Sequence, residues 1–284
     1  MIDLHTHTTA SDGTLSPRQL VQAAAAVGLS AIAVTDHDTT AGLEEALDEA
    51  GPSGVRVVPG VEISIEFRGP RVGGRPGWLH LLAYFLPAGG LLAGKLERLQ
   101  RWRRERNGLM VEKLRRLGMD ITLEQVAALS GGGQVGRPHF ARALLEAGYV
   151  DNLQQAFDRY LKKGAAAYVD KQRLTIDQAL QLVREDGAVA VLAHPFSLGL
   201  GDEELSERLA RWRWLGLAGM EVEYPEHDSD LRRRLHRLAA HHQLVATGGS
   251  DFHGTNKDGI ELGRGHDGNI SVPDEVLAEL ERRR

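Results

Sequence analysis

The sequence predicts an α/β protein in which a barrel-like parallel sheet carries a helical insertion. Short apolar runs alternate with helical patterns near both ends of the chain, and this alternation is typical of a parallel sheet, open or closed. From about residue 90 to residue 164 the apolar spacing is helical throughout. The length of 284 residues fits two domains or one barrel with an insertion, and 42% hydrophobic with 26% charged residues is an ordinary globular composition.

The order of the predicted elements sets the boundaries of the two parts. Ser16, Pro17 and Gln19 form a capping-box pattern that begins one helix, and Thr175 with Gln178 repeats the pattern later. We therefore assign residues 1–90 and 165–284 to the barrel and residues 91–164 to a helical insertion that caps the substrate. Seven apolar runs are predicted as strands: residues 2–5, 31–35, 55–63, 78–85, 188–193, 218–223 and 244–247.

The composition excludes several classes of protein. The chain has no cysteine, which rules out disulfides, thiolate metal sites, iron–sulfur clusters and a thiol nucleophile. A net charge of −5 gives no global reason to expect nucleic-acid binding. The first residues lack the basic and apolar regions of a signal peptide, and no apolar run approaches the length of a membrane span. We therefore expect a cytoplasmic protein without a membrane partner.

Histidines and acids fall at the ends of the predicted strands. His5 and His7 are two residues apart, so both point to the same face of the first strand. In α/β barrels the loops at the carboxyl ends of the strands hold the active site. Nine side chains lie at such ends or within the apolar runs: His5, His7, Asp12, His37, Glu62, His80, His194, Asp251 and His253.

These nine residues together predict a metal site. Taken alone, His80 would be a packed core histidine and Asp12 a turn or helix-cap residue. Imidazoles and carboxylates are costly to bury singly, so a shared ligand explains the set better. Ligands of this kind without thiolate suit manganese, iron or zinc, and nine are too many for one ion. Clustered divalent ions are well suited to the hydrolysis of phosphate esters. The remaining histidines, His227 among them, are predicted to lie at the surface.

The same set resembles the ligand pattern of the PHP (polymerase and histidinol phosphatase) family, with all nine positions filled over the barrel part. The resemblance implies a distorted (β/α)7 barrel and two to three divalent ions, Mn²⁺ in the first place and Fe²⁺ or Zn²⁺ as alternatives. It further implies three ligand sets, of which the first two share Glu62: His5, His7, Glu62 and Asp251; Glu62, His80 and His194; Asp12, His37 and His253.

Two segments resemble one subgroup of that family. Residues 5–14 and the run that begins Gly136-Arg137-Pro138-His139 are similar to phosphatases of 3′,5′-nucleoside bisphosphates that also act as 5′→3′ exonucleases on short RNA. The resemblance implies hydrolysis of a nucleoside bisphosphate to the 5′-monophosphate and phosphate, with no obligate protein partner. Histidinol-phosphate phosphatase is the alternative within the enzymes. A non-catalytic metal-binding regulatory module is the alternative outside them, although such a module would have eroded ligands.

The expected mechanism uses a metal-bridging hydroxide that attacks phosphorus in line, while the third ion and Arg137 hold the non-bridging oxygens. The sequence does not identify the general acid. Arg137, His139 and Lys171 are predicted to bind substrate phosphate, because an arginine fork matches phosphate oxygens. Ordinary surface positions are the alternative for these three. Residues 95–116 hold nine basic and three acidic residues, which favours either an oligonucleotide contact or a solvated helix face.

Overall fold

The computed structural model describes residues 1–129 and 135–284 of the chain. Two compact units are present: Met1–Leu96 with Arg173–Arg284 forms one, and Glu97–Gln172 forms the other. The larger unit contains all the described strands, and the smaller unit is helical in its described part. The division after residues 90 and 164 that we drew from the sequence remains a prediction.

The seven predicted strands are all present and form one sheet in the order β1-β2-β3-β6-β7-β8-β9. Two small two-stranded sheets, β4-β5 and β10-β11, accompany it. The strands are β1 (Ile2–Asp3), β2 (Ala31–Val34), β3 (Arg56–Ile65), β4 (Arg71–Val72), β5 (Arg75–Pro76), β6 (Leu79–Tyr84), β7 (Val189–Leu192), β8 (Leu217–Glu223), β9 (Val245–Gly248), β10 (Ile260–Glu261) and β11 (Gly265–His266).

The direction of one strand corrects the sequence prediction of a parallel sheet. The pairs among β1, β2 and β3, and those among β7, β8 and β9, are parallel. Strand β6 is antiparallel to both of its neighbours, β3 and β7. The segment between β3 and β6 contains the β4-β5 hairpin and no crossover helix, so the chain turns back on itself there.

The sheet closes almost completely into the predicted barrel. Beyond the end of β9, the Asp251 amide donates to the carbonyl oxygen of His5 at 2.8 Å, and the His7 amide donates to Phe252 at 2.9 Å. A parallel bridge between Thr6 and Phe252 continues this contact. The chain that leaves β1 therefore runs beside the chain that leaves β9, so the two outer strands of the sheet meet at their carboxyl ends.

Helices cover the outside of the sheet and build the smaller unit. In the larger unit, Leu20 and Val21 pack against Ile32 and Val34. The smaller unit has its own core, which includes Phe140. None of the described helices combines the length and apolar character needed to cross a membrane. The helices are α1 (Pro17–Ala26), α2 (Leu43–Ser53), α3 (Leu91–Arg116), α4 (Leu123–Ala128), α5 (Arg137–Glu146), α6 (Leu153–Ala156), α7 (Ile176–Glu185), α8 (Asp202–Leu215), α9 (Ser229–His241) and α10 (Glu275–Glu281), with short 3-10 or π turns at Phe157–Leu161, Pro195–Leu198 and Gly254–Asn256.

Candidate metal centre

The structure brings the nine predicted ligands together at the carboxyl ends of the strands. Most of them follow the last residue of a strand, whereas His80 lies near the beginning of β6. Because β6 is antiparallel, its first residues lie beside the last residues of β3 and β7: His80 pairs with Ser64, and its carbonyl accepts from the Ala193 amide at 3.2 Å. The reversed strand therefore delivers His80 to the same end of the barrel.

Among the described residues, the potential ligand atoms form three overlapping groups, and within each group all the atoms lie within 4.8 Å of one another. Glu62, His7 and His37 each belong to two groups, so neighbouring sites would share ligands. His194 lies outside this grouping but contacts Glu62. The groups are His5, His7, Glu62 and Asp251; His7, Asp12, His37 and His253; and His37, Glu62 and His80.

Glu62 stands at the middle of the cluster. Its side chain is 1% exposed, whereas that of Asp12 is 47% exposed, so the cluster extends from the barrel interior to the surface. Five imidazole nitrogens lie close to its two carboxylate oxygens: His80 Nδ1 at 2.7 Å and His194 Nε2 at 2.9 Å from Oε1, and His37 Nδ1 at 2.9 Å, His7 Nε2 at 3.2 Å and His5 Nε2 at 3.3 Å from Oε2.

The hydrogen bonds behind the imidazoles set which nitrogen faces the cluster. His194 Nδ1 donates to Ser197 Oγ at 3.1 Å, since that hydroxyl already donates to the Trp78 carbonyl. His253 Nδ1 donates to the Asp251 carbonyl at 2.8 Å. In both rings Nε2 is left with a lone pair, and metal-ligating histidines are usually held in this way.

The cluster fits divalent metal ions. His5 Nε2 and His7 Nε2 lie 3.3 and 3.2 Å from Glu62 Oε2, yet within residues 1–129 and 135–284 none of these three buried atoms has a hydrogen-bond partner in suitable geometry. Buried polar atoms without partners are costly, and these three converge on one point. An ion at that point would satisfy them, and nitrogen with carboxylate oxygen is a donor set suited to manganese, iron or zinc.

The charges in the cluster perturb one another. Burial opposes ionisation of Glu62, but the imidazoles of His37, His80 and His5 outweigh it and hold the pKa of Glu62 well below its usual range. Burial likewise disfavours the charged form of His37, but the Glu62 carboxylate outweighs it and raises the pKa of His37 to about 10. Protons and metal ions therefore compete for the same imidazoles.

Several residues that the sequence analysis missed hold the ligands in place. The Asp36 carboxylate accepts from the Thr8 amide at 2.8 Å and from Ser11 Oγ at 2.5 Å, which fixes the loop that leads to Asp12. The buried Asp3 carboxylate accepts from the Ser250 amide at 2.9 Å, beside Asp251. Asp36 sits in the Thr-Asp-His-Asp run that contains His37, so proximity to a ligand was the one available signal.

One surface prediction is wrong. His227 is 2% exposed and donates from Nδ1 to the Val222 carbonyl at 2.9 Å. Its ring packs against Phe196 and Tyr224, with centroids 5.6 and 5.1 Å away. His227 lay outside every predicted strand because it follows the end of β8, where the chain turns inward over these aromatic rings.

The three predicted phosphate-binding residues all lie in the smaller unit. Arg137 begins α5, where its Nη1 donates to the Leu161 carbonyl at 3.3 Å and its guanidinium lies 5.7 Å from the Tyr168 ring. His139 Nδ1 accepts from the Gly136 amide at 3.1 Å and so caps the same helix. Lys171 follows Tyr168 by three residues. Their role in substrate binding remains a prediction.

Similarity to a solved structure agrees with this chemistry. A Bifidobacterium adolescentis protein assigned as a metal-dependent phosphoesterase is 31% identical, with a TM-score of 0.73 over 99% of this chain and 96% of that chain. A nearly closed α/β barrel with clustered imidazole and carboxylate ligands is the architecture of such an enzyme. The chain is accordingly a metal-dependent hydrolase of phosphate esters.

The family follows from the sequence comparisons. Residues 3–185 match the PHP domain model, and the chain belongs to the PHP family. A 5′-3′ exoribonuclease of Escherichia coli K12 is 36% identical over 92% of this chain and 88% of the relative. A 3′,5′-nucleoside bisphosphate phosphatase of Chromobacterium violaceum is 31% identical over 94% of this chain and 92% of the relative. The resemblance drawn from the nine residues is confirmed at the level of the family.

Proposed function

We propose that the protein removes the 3′-phosphate of nucleoside 3′,5′-bisphosphates to give the 5′-monophosphate, and that it also trims short RNA from its 5′ end. The observation that carries the proposal is the ligand cluster around Glu62, whose carboxylate is shared by five imidazoles. The choice of a nucleotide substrate is supported by the exoribonuclease and bisphosphate phosphatase relatives, which match most of the chain.

The proposal includes three Mn²⁺ ions, with Glu62 shared between the first two. His5, His7 and Asp251 complete the first set, His80 and His194 complete the second, and the third set is Asp12, His37 and His253. The first set coincides with one of the groups of ligand atoms and the third lies within another. The second set is supported by the contacts of His80 Nδ1 and His194 Nε2 with Glu62 Oε1 at 2.7 and 2.9 Å. Divalent ions bound there would lower the pKa of a bound water and neutralise charge on the attacking and leaving oxygens.

The proposed reaction is the hydrolysis of the 3′-phosphate ester at the exposed side of the cluster. Water attacks the phosphorus of the 3′-phosphate, the bond from phosphorus to O3′ breaks, and O3′ leaves with a proton. The buried part of the cluster, around Glu62 and His5, excludes bulk solvent on the barrel side. Asp12 and His37 are more exposed, which leaves the substrate an approach from the surface.

Arg137, His139 and Lys171 are proposed to hold a substrate phosphate. The guanidinium of Arg137 offers paired donors that match phosphate oxygens. His139 accepts from the Gly136 amide through Nδ1, so its neutral ring carries a proton on Nε2 that it can donate. The contact of Arg137 with Tyr168 supports the proposal, because it brings the start of α5 close to the segment that leads to Lys171.

The proposal is tested by phosphate release from adenosine 3′,5′-bisphosphate with Mn²⁺, with L-histidinol phosphate and a 5′-phosphorylated RNA trinucleotide assayed in parallel. We expect release from the bisphosphate, mononucleotides from the RNA and no release from histidinol phosphate. Release from histidinol phosphate alone would keep the metal chemistry and overturn the nucleotide substrate. A protein that binds Mn²⁺ tightly and hydrolyses none of the three would overturn the proposed substrate class and favour a regulatory module.

A further inference from the structure

Glu221 is a buried carboxylate in β8 that lies directly behind two of the proposed metal ligands. Glu221 is 1% exposed, and its neighbours in β8, Met220 and Val222, are fully buried apolar residues. A carboxylate in such surroundings requires strong partners. Both of its oxygens have one, and the two partners belong to His5, which follows β1, and His194, which follows β7.

The first partner is the ring of His5. Glu221 Oε1 lies 3.0 Å from His5 Nδ1. A carboxylate accepts and does not donate, so Nδ1 carries the proton of the neutral ring. His5 Nε2 is then left with a lone pair, and it faces Glu62 Oε2 at 3.3 Å and Asp251 Oδ1 at 3.4 Å.

The second partner is the backbone of His194. The His194 amide donates to Glu221 Oε2 at 2.7 Å. His194 has a φ of 25°, a backbone conformation that residues with a side chain rarely adopt and that persists only where surrounding contacts hold it. The same residue directs Nε2 to Glu62 Oε1 at 2.9 Å.

We propose that Glu221 is a positioning residue for the metal centre, which holds the tautomer of His5 and the backbone of His194 through one carboxylate. Its contacts are with His5 Nδ1 and the His194 amide, and both rings direct Nε2 towards Glu62. Because it acts on one ligand of the first proposed set and one of the second, its loss affects both sets together. The inference rests on the ligand assignment proposed above.

The test exploits the fact that both partners of Glu221 are donors. Glu221→Gln keeps the size of the side chain but has one acceptor oxygen instead of two. If the amide oxygen stays with the His194 amide, the amide nitrogen faces His5 Nδ1, which favours the tautomer with a proton on Nε2. We expect Mn²⁺ affinity, measured by calorimetry on the metal-free protein, to fall about 10- to 100-fold. Glu221→Asp, which keeps both oxygens on a shorter chain, should fall less.

A matched control lies two residues further along the strand. Glu223 contacts His236 Nε2 at 3.0 Å, away from the cluster, and Glu223→Gln should keep wild-type Mn²⁺ affinity. The metal-free Glu221→Gln protein should retain its circular dichroism spectrum while losing part of the rise in Tm that Mn²⁺ gives the wild type. If Glu221→Gln does not fold, Glu221→Asp takes its place.

Three outcomes would contradict the inference, and they are distinguishable. Wild-type Mn²⁺ affinity and stoichiometry in the folded Glu221 variant would overturn the role of Glu221 and leave the proposed function intact. Absence of Mn²⁺ binding by the wild-type protein itself would overturn the proposed metal centre, and the inference with it. If Glu221→Gln weakens Mn²⁺ binding but Glu223→Gln lowers the metal-free Tm by the same amount as Glu221→Gln does, the effect is a general one on β8, which also contradicts positioning.

Discussion

The phenolic hydroxyl of Tyr224 donates a hydrogen bond to Asp251 Oδ2 at 2.7 Å, while Oδ1 of the same carboxylate lies 3.1 Å from His7 Nε2. Lys257 Nζ reaches Oδ2 as well, at 2.9 Å. Burial and then the Asp251 charge hold the pKa of Tyr224 well above its usual range, so the hydroxyl stays a donor. One oxygen of Asp251 is thereby engaged, and the other is presented to the cluster.

Tyr224→Phe should weaken metal binding without unfolding the protein. The ring would keep its packing against Phe196 and His227, but Asp251 Oδ2 would lose one of its two donors and the carboxylate would rotate more freely. We expect Mn²⁺ affinity to fall about 10-fold, the low end for partners of metal ligands. Calorimetric titration measures it. Tyr149→Phe, which removes a hydroxyl that bonds the Asp120 amide in the smaller unit, is the control. Equal affinity in both variants would contradict the role of Tyr224.

His37→Ala should abolish most of the turnover while the chain still folds. The His37 side chain is 24% exposed, so its truncation leaves no deep cavity, but it removes a ligand shared by two groups. The loss in kcat should exceed the roughly 100-fold that partners of ligands typically cost. Phosphate release at saturating Mn²⁺ measures it, with the exposed His236→Ala as control. Near-full activity of His37→Ala would make the three-ion assignment wrong.

The strands and the clustering of the nine side chains were predictable because each depends on local pattern. Apolar runs of strand length with polar residues at their ends mark β1, β2 and β7 without any knowledge of the fold. His80 differs from the others because it lies near the beginning of its strand, and the antiparallel direction of β6 brings it to the cluster. Strand direction depends on the connection and not on the strand's own residues.

The supporting residues could not be predicted in the same way. Glu221 lies 216 residues from His5 in sequence, and Tyr224 lies 27 residues from Asp251. Nothing in the local sequence of either residue indicates that its partner is near, because the contact exists only once the barrel has closed. A buried acid in an apolar run is itself a signal, and it was recognised at Glu62 but not at Glu221.

In the metal-free protein, the free energy of unfolding should decrease as the pH rises. In the metal-free protein the Glu62 carboxylate overcomes burial and raises the pKa of His37 to about 10, from 6.5 for an unperturbed ring. A folded-state pKa above the unfolded value contributes stability that is complete below about pH 6.5 and is lost as the pH rises through about 10.

The free energy of unfolding of EDTA-treated protein, from urea titrations between pH 6.5 and pH 10, should therefore decrease. The decrease should be smaller in His37→Gln, which has no proton to lose there. Saturating Mn²⁺ should also reduce the slope, because a ligated imidazole no longer exchanges protons over that range. Parallel curves for wild type and His37→Gln in EDTA would refute the coupling between His37 and Glu62.

Arg137→Lys tests whether Arg137 binds phosphate through its planar pair of donors or through its positive charge alone. Lysine keeps the charge but loses the planar pair of donors, and it cannot both bond the Leu161 carbonyl and lie over the Tyr168 ring as the guanidinium does. If Arg137 holds a phosphate of the bisphosphate, KM should rise about 10-fold in Arg137→Lys and further in Arg137→Ala, since a charge-assisted hydrogen bond contributes about 1.5–3 kcal/mol. Arg142→Ala, in the same helix and paired with Glu146, is the matched control and should leave KM unchanged.

The decisive comparison is with p-nitrophenyl phosphate, which has a single phosphate. A residue that grips the second phosphate should lose far less on that substrate, whereas an equal loss on both substrates would place Arg137 at the reacting phosphate or in the fold of α5.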